Sequence, residues 1–277
     1  MKERKILRTL RTQEVLEGAG VRLHRGFGYF ELPLFDPFLL FDDFSSSNEA
    51  DYLPGFPEHP HRGIETVTYV LRGDVTHKDS LGNAGTIGAG DIQWMTAGSG
   101  IVHEEMPHGH GGLKGFQLWV NLPHTNKMMT PRYQEIKASD IPKVEHSGAT
   151  VHVISGTYES VKGPVTDIMA NPTYLDITLE AGASIVISVA SGDTSFIYVI
   201  EGNLASGDAV HNHGTILLYD REGEVVTLTA QNATSRFLFV SGTPLNEPIA
   251  WHGPIVMNTE EEIQTALYDL QNRTFIK

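Results

Sequence analysis

The sequence contains no cysteine. That absence excludes disulfides, thiolate zinc sites, iron–sulfur clusters and thiol catalysis together, so any redox chemistry must come from a metal or a bound cofactor. Basic residues are also scarce: 20 Lys plus Arg stand against 34 Asp plus Glu, a formal net charge of −14. A chain that grips phosphates needs a basic footprint, so direct binding to nucleic acid or to an anionic membrane is disfavoured. Long apolar runs are missing too. Nothing approaches the roughly 18 consecutive apolar residues of a membrane span, and no apolar stretch follows the basic start MKERKILRTLRTQE as a secretory signal requires. The expectation is a soluble, cytoplasmic protein.

What is present reads as β structure. Among 277 residues there are 28 Gly and 14 Pro. Between them recur short β-branched and aromatic segments such as ETVTYVLRG, GDIQWMTAG, TVHVISG, SFIYVIEG and SRFLFVSG. Such segments, bounded by turn residues, are strands. The exception lies at the C-terminus. Thr259 and Glu262 make a capping box, and Ile263, Ala266, Leu267 and Leu270 follow at helical spacing. The chain is therefore predicted to be all-β with one terminal amphipathic helix.

An internal repeat organises the strands. Shifted by 129 residues, TVTYVLRG (66–73) falls on SFIYVIEG (195–202), Thr86–Ile87 on Thr215–Ile216, and Asp91 on Asp220. GFQLWVNLP pairs with RFLFVSGTP once PHGHGGLK is treated as an insertion. Two similar β domains are expected, over residues 1–130 and 146–277, the second carrying the helix. The polar, proline-punctuated stretch 131–145 is the candidate linker.

Four residues carry the chemistry. His59 and His61 are two apart, and on a strand i and i+2 project from one face. His103 and Glu105 repeat that spacing. Two such strands side by side give three imidazoles and a carboxylate, a set that suits Fe(II), Mn(II), Ni(II), Cu(II) or Co(II) with positions left open. Isolated H-x-H pairs are common and often unrelated to metal, so the repeat decides. At the same offset the four positions correspond to Ser188, Ala190, Asn232 and Thr234. Histidines required by the fold should appear in both copies; these appear in one. His108 and His110 form another H-x-H in a glycine-rich loop, with no strand to fix them, and His211 and His213 fall in a turn. Glu65, four residues after His61, is expected to accept a hydrogen bond from a ligand imidazole rather than to bind metal.

The segments HPHRG (59–63), GDIQWMTAG (90–98), HEEMP (103–107), FQLWVNL (116–122), and HGP and VMNT near the end closely resemble the pirin family of the cupin superfamily. The resemblance runs from DPFLLFDDF (36–44) to the terminal helix. It implies a bicupin, two cupin-type β-barrels with metal only in the first. Carried over motif by motif, the metal ligands are His59, His61, His103 and Glu105, in agreement with the spacing. The family implies one divalent metal per chain, Fe(II) foremost with Mn, Ni, Co, Cu or Zn as alternatives. It further implies quercetin 2,3-dioxygenase activity on a flavonol and O2. On that reading Glu105 is also the catalytic base, with Phe56 and Trp119 as aromatic neighbours of the flat substrate. The alternative is a metal-dependent regulatory protein acting through protein partners. A cavity of several hundred cubic ångströms at the metal favours the enzyme, and a blocked metal favours the regulator.

Overall fold

A computed structural model describes residues 2–109 and 111–277. The chain divides into two compact units. One holds the N-terminal residues to Thr12, Leu34–Asp36 and Ser139–Pro244; the other holds Gln13–Pro33, Pro37–Ala138 and Leu245–Lys277. Each unit contains one seven-stranded and one four-stranded antiparallel sheet. Among the described residues, the only α-helices are the one-turn Glu49–Tyr52 and the terminal Glu260–Gln271. Among these residues no helix is long and apolar enough to cross a membrane.

The two units share one strand order. In the second, the strands Ile92–Thr96, Ile64–Arg72, Lys114–Asn121, Phe38–Asp43 and Val21–Phe27 lie side by side. In the first the same places are taken by Thr215–Tyr219, Thr194–Glu201, Ser235–Gly242, Thr173–Leu179 and Ala149–Ser155. The smaller sheets correspond likewise. Phe56–His61, Ile101–His108, Asp74–Asp79 and Ala84–Ile87 match Ser184–Ser188, Val225–Ala230, Asn203–Ser206 and Ala209–Asn212.

This topology supports the repeat and corrects its alignment. Thr215–Tyr219 is the counterpart of Ile92–Thr96, not of Thr86–Ile87, because each pairs with the long central strand of its own unit. A single offset cannot hold when the loops of the two copies differ in length. The contrast at the strands that carry the candidate ligands survives the correction. Ile185 lies opposite Leu228 and Ile187 opposite Val226, all four inside the apolar core of their unit. Each such side chain, fully buried, stabilises by about 1.5–3 kcal/mol. The corresponding strands of the other unit forgo that gain and bury imidazoles and a carboxylate instead.

Two boundaries differ from the sequence reading. The proposed linker is largely strand: Arg132–Ile136 pairs with Ile92–Thr96, and Lys143–His146 pairs with Ala149–Ser155. Both are edge strands, which pair on one side only and so tolerate a polar sequence. The tail from Leu245 onward groups with the strands that carry His59, His61 and His103 and not with the residues that precede it. Its helix begins at the expected capping box of Thr259 and Glu262. Ile263 and Ala266 pack with Ala250, Ile255, Met257 and Phe275.

Candidate metal centre

The site is assembled on two paired strands. Phe56–His61 runs along the edge of the four-stranded sheet, where Pro57 and Pro60 cost no ladder bond on the open side. It pairs with Ile101–His108, His103 lying opposite His59 and Ile101 opposite His61, with a register shift before Glu105 meets Phe56. Alternation along Ile101–His108 turns His103 and Glu105 inward, both buried. Glu104 points the other way and pairs with Lys78 at 3.1 Å.

His59, His61 and His103 offer ligand atoms that all lie within 4.8 Å of one another. The tautomers follow from their neighbours. His59 Nδ1 is 2.9 Å from Pro57 O, and His61 Nδ1 is 3.2 Å from Pro254 O. A carbonyl can only accept, so each Nδ1 carries a proton, and in the neutral ring each Nε2 then presents a lone pair. Those two Nε2 atoms are 3.1 Å apart. That spacing suits two nitrogens each about 2.1 Å from one ion and nearly at right angles. Neither ring nitrogen of buried His103 has a hydrogen-bond partner. Burial pushes His61 well below the ordinary histidine range, helped by His59 and His103. Burial likewise takes His103 down to about 4, although Glu105 pulls upward. Neutral imidazoles are what metal ligation requires, and the donor set fits a divalent transition metal.

Glu105 stands beside this cluster, Oε2 lying 3.8 Å from His103 Nε2. Thr68 Oγ1 is 3.0 Å from Glu105 Oε1 and 2.7 Å from the Gln117 amide oxygen. A hydroxyl has one proton, so it cannot serve both acceptors. The consistent arrangement turns the Gln117 NH2 toward Thr68, and Thr68 donates to the carboxylate.

A cavity of about 710 Å³ reaches His59, His61 and Glu105. Phe56 and Trp119 line it, as do Tyr29 and Trp251, which the sequence did not single out. Trp119 stands edge-on to His61 at 5.1 Å and lies 5.8 Å from Trp251, whose other neighbour is Tyr29 at 5.9 Å. Arg25 and Asp42 also line it, the guanidinium donating to the carboxylate through two hydrogen bonds of 2.9 and 2.8 Å. The WHGP run was the available signal for Trp251, but its place in sequence pointed to the other domain.

The remaining candidates fall elsewhere. Glu65 is fully buried and accepts the Thr96 hydroxyl at 2.7 Å, while the imidazole N–H groups of His59 and His61 go to main-chain carbonyls. His108 is exposed and sits 3.1 Å from the Thr76 hydroxyl; His110 lies outside the described residues. His211 is on the strand Ala209–Asn212, and His213 Nδ1 contacts Ile200 O at 2.9 Å.

Two sheets per unit in the same strand order, with a histidine cluster in one unit alone among the described residues, define a two-domain cupin. Residues 20–120 match the Pirin family model, and residues 174–276 match the Pirin C-terminal cupin domain. The chain is 44% identical to Pirin of Rattus norvegicus over 97% of its own length and 92% of that protein. To a pirin-like protein of Caulobacter vibrioides it is 43% identical, over 99% of this chain and 100% of the other. The crystal structure of a quercetin 2,3-dioxygenase from Acinetobacter baumannii superposes with a TM-score of 0.90 at 38% identity, covering 99% and 98% of the two chains. The chain belongs to the pirin family of the cupin superfamily.

Proposed function

We propose that this protein is a metal-dependent dioxygenase that opens flavonols with O2, with His59, His61, His103 and Glu105 as the metal-binding set. The observation that carries the reading is the convergence of neutral imidazole lone pairs and a carboxylate at a cavity of about 710 Å³. That volume suits a small aromatic ligand, and a site reached by such a cavity favours the enzyme over a regulatory protein with a blocked metal. The likeness to the Acinetobacter baumannii quercetin 2,3-dioxygenase supports the substrate class. A bound divalent metal acts as a Lewis acid that lowers the pKa of a coordinating hydroxyl and orients substrate and O2; we take Fe(II) as the working metal.

The chain's own residues bind and align. Trp119, Trp251 and Tyr29 offer flat faces and edges to a planar ring system. The Glu105 carboxylate is placed to accept the proton of the flavonol 3-hydroxyl. The Thr68 hydroxyl holds it in position.

The test is O2 consumption and loss of the flavonol absorption band, measured for quercetin and for a flavone lacking the 3-hydroxyl, in protein reconstituted with each of the six metals in turn. Quercetin should be turned over and the flavone should be inert. Equal turnover of the two, or turnover of neither with any metal, contradicts the proposal.

A further inference from the structure

The motif HPHRG ends in two residues that the metal site leaves unused, Arg62 and Gly63. Both face the C-terminal tail. Arg62 is 1% exposed. Its guanidinium donates to Ser99 O at 2.7 Å, Asp269 Oδ2 at 2.9 Å and Phe275 O at 3.0 Å, and lies 4.1 Å from the centre of the Phe275 ring. Gly63 has φ +79°, and a Cβ there would stand 2.0 Å from Val256 O. Only glycine permits so close an approach in that conformation. Lys127, also buried, donates to Gly63 O, Asn121 Oδ1 and Val256 O at 2.9, 2.6 and 2.8 Å. Lys127 thus holds Val256 against the turn that follows His61, the Val256 N–H donates to the Arg62 carbonyl, and the Arg62 side chain clamps the rest of the tail through Asp269 and Phe275. Burying such groups as charges costs several kcal/mol each unless they are well partnered, and burial lowers the pKa of Lys127 to about 7.

The clamp has a consequence at the metal centre. Immediately before the clamped strand, Pro254 O accepts the His61 Nδ1–H, and Trp251 packs on the Trp119 ring that meets His61 edge-on. We infer that the C-terminal tail is a working part of the metal centre: Arg62, Lys127 and Asp269 are positioning residues that hold Pro254 O on His61, so that tail docking and metal binding strengthen each other. The inference rests on the metal reading above. The linkage is reciprocal by thermodynamic necessity: if docking raises metal affinity, metal must tighten docking.

The test uses the full-length apo-protein, Co(II) alone as the probe and a competing chromophoric chelator. Wild type should bind about one Co(II) per chain, and His61→Ala should lose it. Asp269→Ala should weaken Co(II) on the order of 10-fold, the usual effect of losing support behind a ligand histidine. It should also shift the visible Co(II) bands, which simple destabilisation does not do. Asp269→Asn, which keeps an oxygen for Arg62 but not the charge, should recover much of both. In parallel, Co(II) should slow amide exchange across residues 250–257 of wild type and not of His61→Ala. If Asp269→Ala does not fold, this exchange comparison decides alone. Wild-type affinity and spectrum in folded Asp269→Ala, or exchange indifferent to Co(II), overturns the inference and leaves the metal reading standing. Absence of Co(II) binding by wild type overturns both.

Discussion

His59 Nε2 and His61 Nε2 face each other across 3.1 Å, each ring having turned its Nδ1 to a main-chain carbonyl. Two lone pairs at that distance repel unless a cation or a proton lies between them. Burial opposes the proton at His61. A divalent ion held by both Nε2 atoms would relieve that repulsion, which is what the proposed metal site supplies. The carbonyls responsible come from opposite ends of the sequence, Pro57 beside the ligands and Pro254 in the tail.

The carboxylate of Glu105 should matter more for turnover than for metal retention. Glu105→Gln keeps the size and one carbonyl oxygen but removes the charge and the proton acceptor. In metal-replete protein its kcat on quercetin should fall on the order of 100-fold or more, the range of a lost general base. Thr68→Val leaves the carboxylate in place without its hydrogen bond, and a loss of about 10-fold is expected from a single bond to a charged group. Because Thr68 acts through Glu105, the double variant should be little worse than Glu105→Gln. Wild-type kcat in Glu105→Gln removes Glu105 from the mechanism.

Trp251 should govern binding of a flat substrate. It forms one wall of the cavity and packs against Trp119. Trp251→Ala opens that wall while leaving His59, His103 and Glu105 untouched. An aromatic stack is worth about 0.5–1.5 kcal/mol beyond the area it buries, so KM for quercetin should rise about 10-fold with a smaller change in kcat. Tyr268→Ala, on the exposed face of the terminal helix, is the control and should alter neither. An unchanged KM in Trp251→Ala places the substrate elsewhere in the cavity.

The i, i+2 histidines were legible because strand alternation is a local rule: His59 and His61, or His103 and Glu105, need only their own strand to share a face. The capping box at Thr259 was legible for the same reason. The tail's destination was not. Arg62 and Asp269 are 207 residues apart, and nothing in the local pattern of either names the other. Trp251 and Pro254 were hidden with them, since sequence order placed residues 245–277 in the second domain. The repeat was visible in its strongest strand, Ile64–Arg72 against Thr194–Glu201. The strands of GFQLWVNLP and RFLFVSGTP also take matching places, but the fixed offset failed at Thr86–Ile87 and Asp91 because loop lengths, which no periodicity constrains, differ between the copies.

Asp269 supplies the pH dependence. Burial works to raise its pKa, but hydrogen bonds from Arg62 and Thr274, with the charge of Arg62 and of Lys277 3.5 Å away, outweigh it and hold the carboxyl below its ordinary 3.8. The folded carboxylate thus binds fewer protons than the unfolded one as pH falls through this range, so acid favours the unfolded state. The contribution is fully present above about pH 5, begins to fall near the unfolded value of about 3.9, and is lost as pH drops through the lower folded value. Asp269→Asn keeps an acceptor for Arg62 and has no proton to gain. Urea midpoints of metal-free wild type and Asp269→Asn should therefore differ most at pH 5 and converge toward pH 3, wild type losing more over the interval. A difference that stays constant from pH 5 to pH 3 means that the Arg62–Asp269 pair is not what acid breaks.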